Sequence, residues 1–262
     1  MKYSKVSIFE KLKLYLYIIK LKILQKKRTQ DIINKNYDDG FWNSQKYEDI
    51  DFSSRGGMYG HNPNEVTLFT LNDKIIKSTY AEVEPEFQKQ IYDVMDQYID
   101  ENVVELGCGL GAGVFYLANR EFKNLEGYDI SKKAISLAKR YAEEKNYDIK
   151  FGYVDLTKQI DFIENKIIYT NDCLEQLKHY IPTVLQNIIN GKPKLVINFE
   201  LDYDTAPFHV RKFFDSIDCQ NNLVRELKKL EKKDIIEILS INKFPINVSV
   251  VHNTNAIIWK PR

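Results

Sequence analysis

Val103-Val104-Glu105-Leu106 runs directly into Gly107-Cys108-Gly109-Leu110-Gly111-Ala112-Gly113. An apolar strand that empties into glycines, with a helix to follow, can turn tightly and bring backbone N–H groups against a ligand with no Cβ in the way. Gly107, Gly109 and Ala112 also satisfy the Gly-x-Gly-x-x-Ala spacing of dinucleotide sites, so a nicotinamide dehydrogenase stays open at this point. Glu105 tilts the balance. A carboxylate two residues before the first glycine can meet a cationic ligand, whereas it would repel a pyrophosphate. Asp129 ends the next predicted strand, at the distance where an acid meets ribose hydroxyls, and Asp155 ends the one after, where it can accept from an adenine amino group. The three acids fall at the carboxyl ends of successive strands, the edge at which such sheets bind ligands.

A second group can act on an acceptor. Asp172 and Glu175 are three apart at a predicted helix start and can share one face. They can bind the ligand's charged end, act as a base, or hold a divalent metal together with His209. Of the four histidines, His61, His179, His209 and His252, His209 is the candidate general base, oriented by Glu200 or Asp204, because its loop should overhang the carboxyl edge. His179 is expected on an outer helix face and His252 in a structural role. Arg211, Lys212, Phe213, Phe214, Asn221, Asn222 and Arg225 mix basic, aromatic and amide groups. That mixture suits a sugar carrying phosphate. Arg55, Tyr59 and His61 are expected to add contacts from a lid.

These residues need a scaffold. From Asn102 onward strands and helices alternate: strands at 102–106, 124–129, 148–154, 166–171, 194–200, 233–242 and 247–259, helices near 111–120, 132–145, 174–190 and 218–231. Ser131 is a predicted N-cap. Such alternation predicts an α/β, mostly parallel sheet with helices on both faces, its last two strands an antiparallel pair at one edge. A further helix is predicted from Pro85 to about Ile99. Upstream lie a turn-rich, aromatic stretch from Asn34 to Asn64, expected to be the lid, and a helix over 4–27 in which Ile8, Leu12, Leu16, Ile19 and Ile23 recur among lysines. The expected organisation is an N-terminal helical and lid extension, 1–82, and a core, 83–262, with an insertion at about 201–231.

Glu105-Leu106-Gly107-Cys108-Gly109-Leu110-Gly111 resembles motif I of the class I S-adenosylmethionine-dependent methyltransferases. Gly127-Tyr128-Asp129-Ile130-Ser131 resembles their ribose-binding acidic motif, Val154-Asp155-Leu156 the adenine-binding position, and Asn253 to Pro261 their closing strand. The resemblance implies a Rossmann-like seven-stranded sheet with an antiparallel last strand. It implies S-adenosylmethionine as cofactor, held by Glu105, Gly107, Gly109, Gly111, Asp129, Ile130, Asp155, Leu156 and Asp172. Asn171 to Leu177 resembles the segment after strand four. Many members carry a Leu-Glu-His triplet there, and this chain has Gln176 for the histidine, so no metal is expected. The layout more softly resembles bacterial sugar O-methyltransferases, including those acting on capsular heptoses.

The bulk numbers fit an ordinary globular enzyme. With 44% hydrophobic and 29% charged residues the 262-residue chain can bury a core. A formal net charge of +1 gives no general attraction to nucleic acid. Three scattered cysteines without a Cys-x-x-Cys pair favour a reducing, cytoplasmic setting. The helix over 4–27 is expected to dock on the core, on a second subunit in a homodimer, or on the anionic inner membrane surface. The sequence-level expectation is therefore O-methylation of a nucleotide-activated sugar, with catalytic roles for His209, Glu200 and Glu175. Small-molecule N- or phenolic O-methylation and a noncatalytic binding role are the alternatives.

Overall fold

The computed structural model describes residues 1–24, 46–52, 55–217 and 222–262; the end of the helix expected over 4–27, much of the turn-rich stretch from Asn34 to Asn64, and Asn221 lie outside them. The main sheet is built from β4 (Val103–Leu106), β5 (Leu125–Asp129), β6 (Ile149–Tyr153), β7 (Ile167–Asn171), β8 (Leu195–Leu201), β9 (Ile236–Lys243) and β11 (Thr254–Pro261). Its spatial order is β6-β5-β4-β7-β8-β11-β9. β6, β5, β4, β7 and β8 are parallel, and β11 runs antiparallel to both β8 and β9. The seven-stranded, mostly parallel sheet read from the sequence is therefore present. The closing strand, however, sits inside the sheet, and β9 is the edge.

Successive residues of each central strand enter opposite cores. Val103, Ile167, Ile197 and Ile258 pack on one face with Phe87, Met95, Phe115 and Leu137. Val104, Ile168, Val196 and Ile257 pack on the other with Ile181, Leu185, Leu223 and Leu227. A sheet buried on both faces needs apolar residues without alternation, which is why β4, β7 and β8 read as near-continuous apolar runs. The covering helices are α3 (Tyr80–Tyr98), α4 (Ala112–Asn119) and α5 (Lys132–Lys145) over the first core, and α6 (Ile181–Asn190) and α8 (Leu223–Glu231) over the second. Ser131 caps α5 as predicted, its hydroxyl accepting from Ala134 N at 3.1 Å.

Several boundaries differ from the sequence reading. α3 begins at Tyr80 rather than Pro85, because its buried line of Val83, Phe87, Ile91 and Met95 starts before the proline; the expected division between 82 and 83 thus falls inside a helix. The helix expected at 174–190 is a 3-10 turn, Leu174–Leu177, followed by α6. The segment expected as part of an irregular insertion contains α7 (Phe208–Ser216).

The sequence reading missed a second, four-stranded sheet, ordered β1-β3-β2-β10. Its centre is a hairpin of β2 (Val66–Leu71) and β3 (Lys74–Thr79), with β1 (Ser4–Lys5) on one side and β10 (Ile246–Asn247) on the other. Asn72 and Asp73 take φ of 48° and 63°, the left-handed backbone of a two-residue hairpin turn. The strand expected over 247–259 is consequently two: β10 joins this sheet, and the chain loops through 248–253 before β11. The expected N-terminal helix is α1 (Ile8–Ile23), opened by a capping box between Ser7 and Glu10.

Candidate functional site

The carboxyl ends of β4, β5 and β7 open into a cavity of about 300 Å³, the size range of small-molecule sites. Its floor is the glycine loop. Gly107 lies at φ 76°, and a Cβ built there would overlap Cys173 Sγ; the left-handed backbone and the close approach both require glycine. Gly111 is the left-handed N-cap of α4. Gly107 N and Cys108 N both donate to the Tyr128 carbonyl, at 2.7 and 3.0 Å, and fix the loop to β5.

Asp129 links the loop to the next helix. Its Oδ2 accepts from Gly109 N and its Oδ1 from Ser131 N, each at 2.8 Å. Two carboxylate oxygens held by backbone N–H groups are rigid and keep lone pairs for a diol. Ile130, Val154, Asp155 and Leu156 complete this wall. Asp155 Oδ1 is occupied by Thr157, whose N and Oγ1 donate at 2.9 and 2.7 Å. Beneath the loop Glu105 is buried, with Tyr169 Oη donating to it at 2.8 Å. Burial, and then the Glu105 carboxylate, push the Tyr169 phenol well above its usual range, so it stays a neutral donor. Glu105 faces a smaller pocket shared with Tyr59, Gly107 and Asn171 rather than the main cavity.

Asn171, Asp172, Cys173, Glu175, Gln176 and Leu177 form the wall after β7. Asp172 takes a positive φ of 51° and donates its N–H to the Phe199 carbonyl at 3.0 Å. Glu200 supports this turn from behind. It is wholly buried and accepts from Cys173 N and Leu174 N, each at 3.1 Å. Burial, with the neighbouring Asp172 charge, pushes its carboxyl up to about 8. A chain of buried donors continues from Trp259 Nε1 to Asn198 Oδ1 at 2.7 Å, and from Asn198 Nδ2 to Thr170 Oγ1 at 2.9 Å. Burial also pushes the Cys108 and Cys173 thiols well up, which keeps both protonated and un-nucleophilic.

The last side of the cavity comes from outside the main sheet. Tyr59, His61, Val248 and His252 line it. His61 stacks on Tyr80 with ring centres 4.4 Å apart, and its N–H donates to the Gly56 carbonyl at 2.8 Å. Tyr59 and His61, expected to contribute from the lid segment, thus line the cavity. Tyr47 instead turns to α5, where its hydroxyl donates to Glu144 at 2.5 Å, and Phe52 stacks on Tyr141.

Two expectations are corrected here. His209 does not line the cavity: it is buried on α7 with Nε2 3.0 Å from the Val250 carbonyl. A carbonyl only accepts, so Nε2 carries the proton and cannot serve as a base, and the grouping with Asp172 and Glu175 does not form. Burial holds the His209 imidazole below its usual range. Arg211 is likewise on α7 and outside the cavity wall, while Arg225 pairs with Asp204 through two bonds of 3.2 and 2.5 Å. Arg55 opens the helical turn α2 (Arg55–Met58), but its side chain lies outside the described residues. The sequence reading missed Asn171 and Val248 as lining residues and had assigned His252 to a structural strand. The apparent continuity of 247–259 hid the loop that carries Val248 and His252.

Residues 103–190, a third of the chain, match the family model of the methyltransferase domain. Phosphoethanolamine N-methyltransferase 3 of Arabidopsis thaliana is 31% identical over 91 residues, 34% of this chain and 18% of that protein. Phosphoethanolamine N-methyltransferase 1 of Triticum aestivum is 30% identical over 116 residues, 44% of this chain and 21% of that protein. The chain thus spans about a fifth of the length of these curated relatives. A protein of Pyrococcus horikoshii OT3 superposes with a TM-score of 0.54 at 14% identity, covering 71% of this chain and 92% of that one. The magnesium protoporphyrin IX methyltransferase of Synechocystis PCC 6803, solved with S-adenosylhomocysteine, superposes with a TM-score of 0.50 at 16% identity, covering 70% and 87%. The solved structures share the fold, and the matched segment runs from β4 through α6, so residues 103–190 are similar to a methyltransferase domain carried on that fold.

Proposed function

We propose that the protein transfers a methyl group from S-adenosylmethionine to a small-molecule amine. The cofactor fits the residues present. Asp129 presents a fixed carboxylate to the ribose hydroxyls, Asp155 stands at the adenine position with Ile130 and Leu156 beside it, and the Gly107 cradle has no room for a Cβ. Asn171 Oδ1 is buried without a hydrogen-bond partner at the wall shared by both pockets. An unsatisfied acceptor there suits the cofactor's ammonium group. When bound, the cofactor supplies a methyl carbon on a positive sulfur with a neutral thioether as leaving group.

The observation that carries the amine is the charge of the remaining wall. Past Asp129 and Asp155, the titratable side chains there are Asp172, Glu175, Tyr59, His61, Cys173 and His252, and no described lining residue is Lys or Arg. Asp172 and Glu175 favour a cationic acceptor and hold its ammonium in place. An imidazole of His61 or His252 can take the proton that the nitrogen must lose before its lone pair is free. The plant relatives are named N-methyltransferases, which agrees with a nitrogen acceptor, while the phosphate of their phosphoethanolamine has no Lys or Arg to meet it in this described wall.

A nucleotide-activated sugar is the weaker reading. It needs a base for an alcohol and cations for phosphate, and the expected base His209 and cation Arg211 stand outside the wall. The test is transfer of labelled methyl from S-adenosylmethionine to parallel panels of small amines and sugar nucleotides. Label on an amine nitrogen supports the proposal; label on sugar hydroxyls alone overturns it.

A further inference from the structure

α1 buries one side and leaves a second apolar side uncovered. Leu14 and Ile18 are its buried residues, packed with Val250, Leu68 and Phe213. On the opposite side Ile8, Leu12, Ile19 and Ile23, with Leu16 and Phe9 beside them, fall within roughly 100° of arc at 3.6 residues per turn. All six are exposed: Ile8 is 88% accessible, Ile23 78% and Leu16 57%. The same arithmetic puts Lys13 and Lys20 along one border of the stripe and Lys11 and Lys22 along the other. Glu10, the one acid of the helix, is turned away, bound to Ser7 and to Lys77 at 2.7 Å.

We infer that α1 docks the protein on an anionic lipid bilayer surface, lying in the interface with this stripe down. The pattern fits no other occupant as well. Two copies packed stripe to stripe would bring like-charged lysine borders together, whereas anionic headgroups meet both borders and the acyl boundary takes the apolar centre. Long lysine side chains at the margin can reach the headgroups while their stems cover apolar surface. No helix among the described residues is long and apolar enough to cross a membrane, so the contact is peripheral. The inward residues of α1 share an apolar cluster with Val250, two residues before His252 in the cavity wall. Docking therefore sets the lipid surface on the far side of α1 from that loop.

The experiment is cosedimentation of the full chain with vesicles of equal phosphatidylglycerol and phosphatidylcholine, against phosphatidylcholine alone. Binding to the anionic vesicles is expected, with loss in Leu12→Glu/Ile19→Glu and about a 30-fold weakening in Lys13→Gln/Lys20→Gln. Both apolar positions are more than half exposed, so folding should be kept; if the melting temperature falls, Leu12→Ser/Ile19→Ser replaces the pair. No binding, equal binding to the two vesicle types, or binding unchanged in these variants overturns the inference. So does a lipid-free dimer, seen by light scattering, that Leu12→Glu/Ile19→Glu converts to monomer without any vesicle binding by the wild type.

Discussion

His209 Nε2 lies 3.0 Å from the carbonyl oxygen of Val250, two residues before His252. Thr70 Oγ1 reaches the same carbonyl at 3.3 Å, and Val250 N donates to the Leu68 carbonyl at 3.0 Å. Three bonds to one residue pin the 248–252 loop against the hairpin and α7, and that loop presents Val248 and His252 to the cavity. His209 is a positioning residue whose effect on chemistry passes through this loop.

His209→Ala should lower turnover and raise the acceptor's KM while leaving the pH–rate profile unshifted, since its imidazole takes no proton from the acceptor. His252→Ala or His61→Ala should alter the profile if that imidazole accepts the proton. Steady-state rates from pH 6 to 9 separate the roles. A displaced profile in His209→Ala would restore it as the base.

His209 also predicts a slope in stability with pH. Its folded pKa is depressed by burial, so the unfolded chain binds more protons. The stability it contributes is present above its ordinary value of about 6.5 and is lost as pH falls through the lower folded value. Melting temperatures should drop on acidification across that window. His209→Gln, which keeps a donor, should lessen the drop.

Glu200 acts in the opposite direction. Its carboxyl is pushed up to about 8 by burial and by Asp172, so the folded protein binds the extra proton. The stabilising contribution is complete below the ordinary carboxylate range and is lost as pH rises through about 8. Glu200→Gln, an isostere that still accepts from Cys173 N and Leu174 N, should fold and flatten the alkaline side of a melting curve series. An unchanged alkaline slope would refute the assignment.

Asp129→Asn should weaken S-adenosylhomocysteine binding about 10- to 100-fold in calorimetry, the range for losing hydrogen bonds to a charged group. Retained affinity would remove Asp129 from the ribose site.

Gly107→Ala should destabilise the loop by about 1 to 2 kcal/mol through its left-handed backbone alone, and further through overlap with Cys173. Pairing it with Cys173→Gly should recover the overlap component only. Full recovery in thermal unfolding would show that the backbone strain is absent.

What the sequence determined by itself was local and periodic. Strand-to-glycine transitions, acids at successive strand ends and apolar runs for strands buried on both faces are written in consecutive residues. From them followed the sheet, the grouping of Gly107, Gly109, Asp129 and Asp155 along one cavity, and the Ser131 cap. What only the tertiary structure decided depends on partners distant along the chain. The 247–259 run is apolar enough for one strand, yet Ile246 and Asn247 pair with Leu71 and Thr70 in another sheet, leaving 248–253 to loop over the cavity. His209 stands after the right strand for a base, but residues 208–216 coil into α7 and turn it to Val250. The hairpin at Asn72-Asp73 carries no glycine, so its turn is weakly marked until its strands find β1 and β10. Exposure of the outer face of α1 was equally invisible: periodicity shows that an apolar stripe exists, and only packing shows which side of the helix the core has left uncovered.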